Sequence, residues 1–232
     1  MEFPDWVVSR VLARQGCLHP YKTLPAARTA FVIVDLQSYY TQPGYLGECA
    51  SARATFPAVN RLCEAVRAAG GLVVWVQTSA DGADEFWSHH HRHMLTPERS
   101  VRRLRELASD SDGFRIAPGL EPAPQDAYVV KRCYSAMTPG SSNLDAVLKA
   151  RGITHVLVGG TVTNVCCEST ARDAMMMDYA TIMVDDALSA VTPQEHENSL
   201  HNWMLFFGDV QGTDEVIARL AAAPVIAASA DA

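Results

Sequence analysis

A cysteine at the start of a predicted helix is the residue of this chain best placed for chemistry. Cys166 follows the apolar run 154–158 and the segment 159–165, and an Ala- and Met-rich stretch typical of a helix comes after it. The first N–H groups of a helix lack intrahelical partners, and together with the helix dipole they stabilise an anion. We therefore predict a lowered pKa for the Cys166 thiol and a role as nucleophile. The same N–H groups are placed to receive the oxyanion that forms when sulfur attacks a carbonyl.

Two residues with complementary chemistry end other predicted strands. Asp35 follows the apolar run 29–34, and Lys131 follows the run 127–130. Sites in open α/β sheets form beyond the carboxyl ends of the strands, so we expect Asp35, Lys131 and Cys166 to converge there. Lys131 would offset the charges of a carboxylate and a thiolate, and Asp35 would take the thiol proton and return it to a leaving amine.

Buried strands and amphipathic helices alternate along the chain. Apolar runs predict strands at 29–34, 72–77, 127–130, 154–158, 181–184 and near 209–210. Apolar residues at helical spacing, with Gly and Pro punctuation, predict helices at 56–69, 97–107, 142–151, 165–179, 192–206 and 213–222. This alternation predicts right-handed crossovers and a parallel sheet that is covered on both faces.

Composition limits the class of protein further. The chain has 232 residues, of which 48% are hydrophobic and 19% are charged, so a sizeable core is expected and disorder is not. A formal charge of −7 argues against nucleic acid or an anionic membrane as the main partner. No signal peptide and no apolar run long enough to cross a bilayer is visible. The six cysteines lack Cys-x-x-Cys spacing, and we expect free thiols in a reducing cytoplasm.

Three spaced segments resemble the signature motifs of the isochorismatase-like cysteine hydrolases. Residues 35–40 resemble Asp-x-Gln-x-x-Phe/Tyr, and residues 130–135 resemble the segment Lys-x-x-Tyr/Phe-Ser/Asp. Residues 160–174 are similar to Gly-x-x-Thr-x-x-Cys-Val, with Cys167 where Val is usual. The resemblance extends from about residue 29 to residue 211, with the motifs in the family's order.

The resemblance implies an α/β protein with a three-layer αβα fold and a Rossmann-like, mostly parallel six-stranded sheet. It also implies a catalytic triad, an oxyanion hole from the backbone N–H groups of Val162 and Cys166, and a cis peptide at Thr161–Val162. No metal or cofactor is predicted. On motif position alone, the substrate-binding candidates are Gln37, Tyr40, Gln77, Tyr134 and Asn164.

Three sections follow from the extent of the resemblance. We expect an N-terminal extension or arm over 1–28, an isochorismatase-like hydrolase domain over 29–222 and a frayed tail over 223–232. The arm carries Trp6, Tyr21 and Leu24, which are expected to dock on the body or on a neighbouring subunit. The resemblance also implies a homodimer or a homotetramer.

The resemblance favours a cysteine amidohydrolase that cleaves a small amide or ureido compound through a covalent thioester. Cys166 argues against the isochorismatase branch, which lacks the nucleophile, and the motifs are most similar to ureidoacrylate amidohydrolases and biuret hydrolases. A nicotinamidase-type amidase is an alternative, although residues 77–82 lack that branch's Asp-x-His metal motif. A non-catalytic ligand-binding protein on the same fold is a second alternative.

Two polar segments remain outside these motifs. The histidine-rich run from His89 to His93 is expected to form a polar lid or a subunit-contact loop in preference to a metal site. An arginine cluster between positions 99 and 105 is expected to be the solvated face of a helix; it consists of Arg99, Arg102, Arg103 and Arg105.

Overall fold

A six-stranded sheet runs through the centre of the protein, and every neighbouring pair of its strands is parallel. The computed structural model describes residues 1–221. Along the sheet the strand order is β3-β2-β1-β4-β5-β6. The strands are β1 (Thr29–Val34), β2 (Leu72–Thr78), β3 (Ala127–Lys131), β4 (His155–Thr161), β5 (Ala180–Ser189) and β6 (Asp209–Gln211). The predicted three-layer αβα fold and its Rossmann-like sheet are confirmed.

Helices cover both faces of this sheet. The sequence patterns predict six of them and miss α1, α2 and α4, two of which are single turns of four residues. The helices are α1 (Asp5–Gln15), α2 (Ser38–Thr41), α3 (Phe56–Ala68), α4 (Ala83–Phe86), α5 (Pro97–Glu106), α6 (Leu144–Ala150), α7 (Glu168–Met176), α8 (Pro193–Phe206) and α9 (Thr213–Ala221).

Strand β1 shows how the sheet divides the core. All six of its residues are buried, and alternate residues enter different hydrophobic clusters because successive side chains of a strand point to opposite faces. Val32 packs in the cluster that includes residues of α6, α7 and α8, whereas Phe31 packs in the cluster formed with α3 and α9. A continuous apolar strand is therefore required here, as in other sheets buried on both faces.

Strand β4 approaches β1 very closely at its carboxyl end. Gly160 pairs with Val34, and a Cβ at Gly160 would lie 2.0 Å from the Val34 carbonyl oxygen. Gly160 also has a φ of +118°, which side chains other than glycine rarely adopt. Glycine therefore lets β4 continue to Thr161, three residues beyond the predicted end, and delivers the next turn to the end of β1.

The segment before β1 packs on the body of the same chain. Val7 and Val11 of α1 are fully buried and share a cluster with Trp203 of α8. The boundaries at residues 28 and 222 stay predictions, and the predicted tail 223–232 lies outside the described residues. Within residues 1–221, no helix is both long and apolar enough to span a membrane.

Candidate active site

Asp35 and Lys131 stand at the carboxyl edge of the sheet, on strands that flank β2. Asp35 follows the last residue of β1, and Lys131 is the last residue of β3. Asp35 has a φ of 57°, in the left-handed region that Asp enters more readily than most residues. Its backbone N–H donates to the Val76 carbonyl at 2.9 Å, which keeps the turn attached to the neighbouring strand.

The two side chains form a buried ion pair. Nζ of Lys131 lies 2.8 Å from Oδ2 of Asp35, and the side chains are 1% and 0% exposed. Nζ also donates to Oγ1 of Thr78 at 2.5 Å and to the carbonyl oxygen of Cys133 at 3.0 Å. Two hydrogen bonds and one ion contact thus surround an ammonium group that has three N–H donors. Lys131 is thus satisfied by the protein itself.

Thr78 connects the members of this pair, and sequence reasoning missed it. Its hydroxyl donates to Oδ1 of Asp35 at 2.8 Å while accepting from Lys131. Thr78 is the last residue of β2, the strand between β1 and β3, and is itself buried. A polar residue at the carboxyl end of the intervening strand is the sequence signal that would have identified it.

Cys166 reaches this ion pair from the turn that follows β4. A single π-helical turn, Thr163–Cys167, leads into α7, so the regular helix begins three residues later than predicted. Cys166 is 5% exposed, and Asp35 and Lys131 lie near enough to its thiol to shift the thiol pKa in opposite directions. The structure therefore brings the three predicted residues into one cluster.

The predicted lowering of the Cys166 pKa is wrong. Burial raises the pKa of the thiol to about 12, and the attraction of Lys131 offsets this effect only in part. The physical reason is charge balance, because Asp35 already neutralises Lys131 and a thiolate would leave the buried cluster with a net negative charge. Burial lowers the pKa of Lys131, but Asp35 and Cys166 together raise it by more, so the Lys131 pKa lies above its usual value.

The backbone before Cys166 is held by a hydrogen-bonded chain. The Thr161–Val162 peptide bond is cis. Thr163, just after it, bonds to Nδ1 of His196 at 2.9 Å, and Nε2 of His196 bonds to Asp185 at 2.9 Å. The N–H of Val162 donates no hydrogen bond to any group within residues 1–221.

Two of the predicted substrate contacts are engaged within the protein. Gln37 is fully buried; its amide N–H groups donate to the carbonyls of Thr78 and Phe114, and its amide oxygen accepts from the Thr78 N–H. Gln77 likewise donates to the Phe114 carbonyl at 2.9 Å. Gln37 differs from the predicted substrate contact because it has no donor left to offer; it braces the end of β2 where Thr78 lies.

The other predicted contacts lie close to Cys166. Burial raises the pKa of Tyr40, and the charges of Asp35 and Cys166 reinforce this. Burial also raises the pKa of Tyr134, again with a contribution from Cys166, although this side chain is 39% exposed. Asn164, two residues before Cys166, has a buried Oδ1 without a hydrogen-bond partner in the described residues.

Trp87, which the sequence did not single out, and His90 of the histidine-rich run stand beside Tyr134. The Trp87 and His90 rings stack with centroids 4.1 Å apart, and the Tyr134 ring meets Trp87 edge-on at 4.7 Å. Both ring nitrogens of His91 are occupied, by Ser100 and Arg103. Among residues 1–221, no three His, Cys, Asp or Glu side chains are grouped to hold a metal ion.

A doubly covered parallel sheet with a cysteine and an ion pair at its carboxyl edge defines an α/β enzyme. The isochorismatase domain model matches residues 29–215 of this chain. The chain is 33% identical over 215 residues to the ureidoacrylate amidohydrolase RutB of Rhizobium rhizogenes, with 87% of each chain covered. It is 32% identical over 218 residues to the RutB of Agrobacterium fabrum, covering 88% of this chain and 95% of the relative.

Comparison with a solved structure agrees with the family match. The fold is similar to that of a cysteine hydrolase from Pseudomonas syringae pv. phaseolicola, with a TM-score of 0.76 and 29% identity over 85% of this chain and 94% of that chain. The chain belongs to the isochorismatase domain family, as its motifs predicted.

Proposed function

We propose that this protein is a cysteine amidohydrolase that cleaves the C–N bond of a small amide or ureido compound. The observation that carries the proposal is the buried Cys166 thiol beside the buried Asp35–Lys131 ion pair. The ureidoacrylate amidohydrolases at 32–33% identity support a ureido compound as the substrate. We also propose a homodimer or homotetramer in a reducing cytoplasm, supported by the family resemblance and by six cysteines without disulfides.

The first step transfers a proton within the cluster. Sulfur of Cys166 attacks the carbonyl carbon while its proton passes to Oδ2 of Asp35, an oxygen with no hydrogen-bond partner besides its ion contact with Lys131. The cluster has no net charge before the transfer, when the Asp35 carboxylate balances the Lys131 ammonium. It has none after the transfer either, because the negative charge on the sulfur then balances Lys131. A raised thiol pKa is compatible with this step because no proton leaves the site for water.

The later steps reverse this transfer. The developing oxyanion is received by the N–H groups of Val162 and Cys166, and the proton on Asp35 passes to the nitrogen of the leaving ammonia or amine. The C–N bond breaks and an acyl- or carbamoyl-thioester remains on Cys166. Asp35 then accepts a proton from a water molecule that attacks the thioester carbonyl, and the proton returns to the sulfur as the acid leaves.

Replacing the nucleophile tests the proposal. We expect Cys166→Ala to lower kcat for ammonia release from a panel of small amides and ureides by at least about 10³-fold, because no covalent intermediate forms. Cys17→Ala, which removes a half-buried cysteine of the N-terminal segment, is the matched control and keeps wild-type kcat. Hydrolysis at the wild-type rate by Cys166→Ala would overturn the mechanism.

A further inference from the structure

Arg103 departs from the predicted solvated face of α5. It is 7% exposed, whereas Arg99 and Arg105 on the same helix are exposed. Arg102 turns outward and pairs with Glu106 at 2.6 Å. The prediction is therefore wrong for Arg103, whose side chain points into the protein.

The Arg103 guanidinium has no carboxylate partner within residues 1–221. Its contacts are Nη1 to Nε2 of His91 at 3.1 Å and the Trp87 ring, whose centroid lies 5.9 Å from the guanidinium carbon. His91 is a neutral partner, since burial and the Arg103 charge lower its pKa. A buried cation without an anion is costly, so the site favours an incoming negative charge.

A contact and charge effects connect Arg103 to the candidate active site. Its other guanidinium nitrogens form no hydrogen bond in the described chain, yet they are not sealed from solvent. Trp87, which it contacts, packs against Tyr134. Tyr134 follows Cys133, whose carbonyl oxygen holds Nζ of Lys131. The Arg103 charge also acts to lower the pKa of Tyr40 and of Tyr134, and Cys166 acts to raise the pKa of the same two tyrosines.

We propose that Arg103 binds a carboxylate on the substrate, at the end of the molecule away from the bond that Cys166 cleaves. A guanidinium offers two parallel N–H groups that match a carboxylate, and such pairs are strong where water is scarce. Lys131 is not a second site for this carboxylate, because its Nζ already donates to Thr78 and to the Cys133 carbonyl and pairs with Asp35. This inference rests on the proposed function and assigns its substrates to ureido or amide acids.

A pair of substrates that differ only in the carboxylate tests the inference. We expect wild type to hydrolyse 3-ureidopropionate with kcat/KM roughly 10- to 150-fold above that for n-propylurea, the fold-change that corresponds to a hydrogen bond with a charged group. Arg103→Gln should abolish this preference by lowering kcat/KM for 3-ureidopropionate, mainly through KM, far more than it lowers kcat/KM for n-propylurea. Arg103→Lys, which keeps the charge but not the planar fork, should retain part of the preference.

Arg105→Gln is the matched control because it removes the same charge from an exposed position of the same helix, where its side chain is 73% exposed. It should keep the wild-type preference. An equal loss on both substrates in Arg103→Gln, or a wild type that does not favour the acid, would overturn the inference.

A binding measurement separates this inference from the proposed function. Calorimetry with the Cys166→Ala variant should show 3-ureidopropionate binding at least about 10-fold tighter than in the Cys166→Ala/Arg103→Gln double variant. Equal affinities would refute the role of Arg103 whatever the catalytic outcome. Full hydrolysis by Cys166→Ala would instead refute the proposed mechanism and leave the Arg103 comparison interpretable.

Discussion

Thr78→Val tests whether a single hydroxyl holds the buried ion pair. The change keeps the size of the side chain, which is 2% exposed, and removes its contacts with Oδ1 of Asp35 at 2.8 Å and with Nζ of Lys131 at 2.5 Å. Each buried charged group that loses a partner costs about 1.5 kcal/mol or more, so we expect a loss of about 3 kcal/mol in the free energy of unfolding. For a chain of this length that corresponds to a fall in Tm of roughly 6–12 °C.

The Thr78 variants also separate stability from catalysis. We expect kcat/KM of Thr78→Val to fall at least about 10-fold, because Asp35 loses the partner that fixes its orientation toward the thiol. Thr78→Ser keeps the hydroxyl and should remain within about 1 kcal/mol of wild type. Thermal melts and ammonia-release kinetics on the three proteins are sufficient. A Thr78→Val protein that melts within about 2 °C of wild type and keeps its activity would refute the bridging role.

Two further predictions concern the elements that deliver the nucleophile. Gly160→Ala should lower the free energy of unfolding, measured in urea, by about 4 kcal/mol or more, because the added Cβ would meet the Val34 carbonyl. Gly152 also has a positive φ but has open space around it, so Gly152→Ala should lower that free energy by only about 1–2 kcal/mol. Equal losses in the two variants would contradict the close approach of β4 to β1. Because burial raises the Cys166 pKa to about 12, the thiolate forms only as pH rises toward that value. Wild type and Cys166→Ala should therefore show equal thiolate absorbance in the ultraviolet at pH 8, and an excess in wild type would contradict the raised pKa.

The sequence was sufficient for a parallel sheet because most of its strands are buried on both faces, although Tyr128 and Val130 of β3 are exposed. Runs such as Thr29–Val34 are apolar without alternation, as expected of strands in a doubly covered sheet. The end of β4 was harder to predict, because Gly159 and Gly160 resemble a turn when they are considered alone. They belong to the strand because β1 lies too close for any side chain, and that distance is a property of two strands more than a hundred residues apart.

The residues that were predicted follow from local sequence patterns, whereas those that were missed depend on contacts between distant parts of the chain. Asp35, Lys131 and Cys166 sit at strand ends or just beyond them, so local patterns place them at one edge of the sheet. Arg103 was missed because helical periodicity does not distinguish a charged residue that faces solvent from one that is buried against His91 and Trp87. On α5 the usual order is inverted, since Val101 is 63% exposed and Arg103 is 7% exposed.

Charge balance connects the nucleophile to the substrate that the site would accept. The cluster contains one anion, one cation and a neutral thiol, so in the proposed mechanism Cys166 reacts by passing its proton to Asp35. Nζ of Lys131 already donates to Thr78 and to the Cys133 carbonyl and pairs with Asp35, so we expect it to contribute charge without binding a substrate anion. In this proposal an acidic substrate is recognised by a separate cation away from the cluster, and Arg103 is a buried one whose one hydrogen bond within residues 1–221 is to His91. Separating the two charges lets the anion be bound without drawing Lys131 away from the pair that accepts the proton.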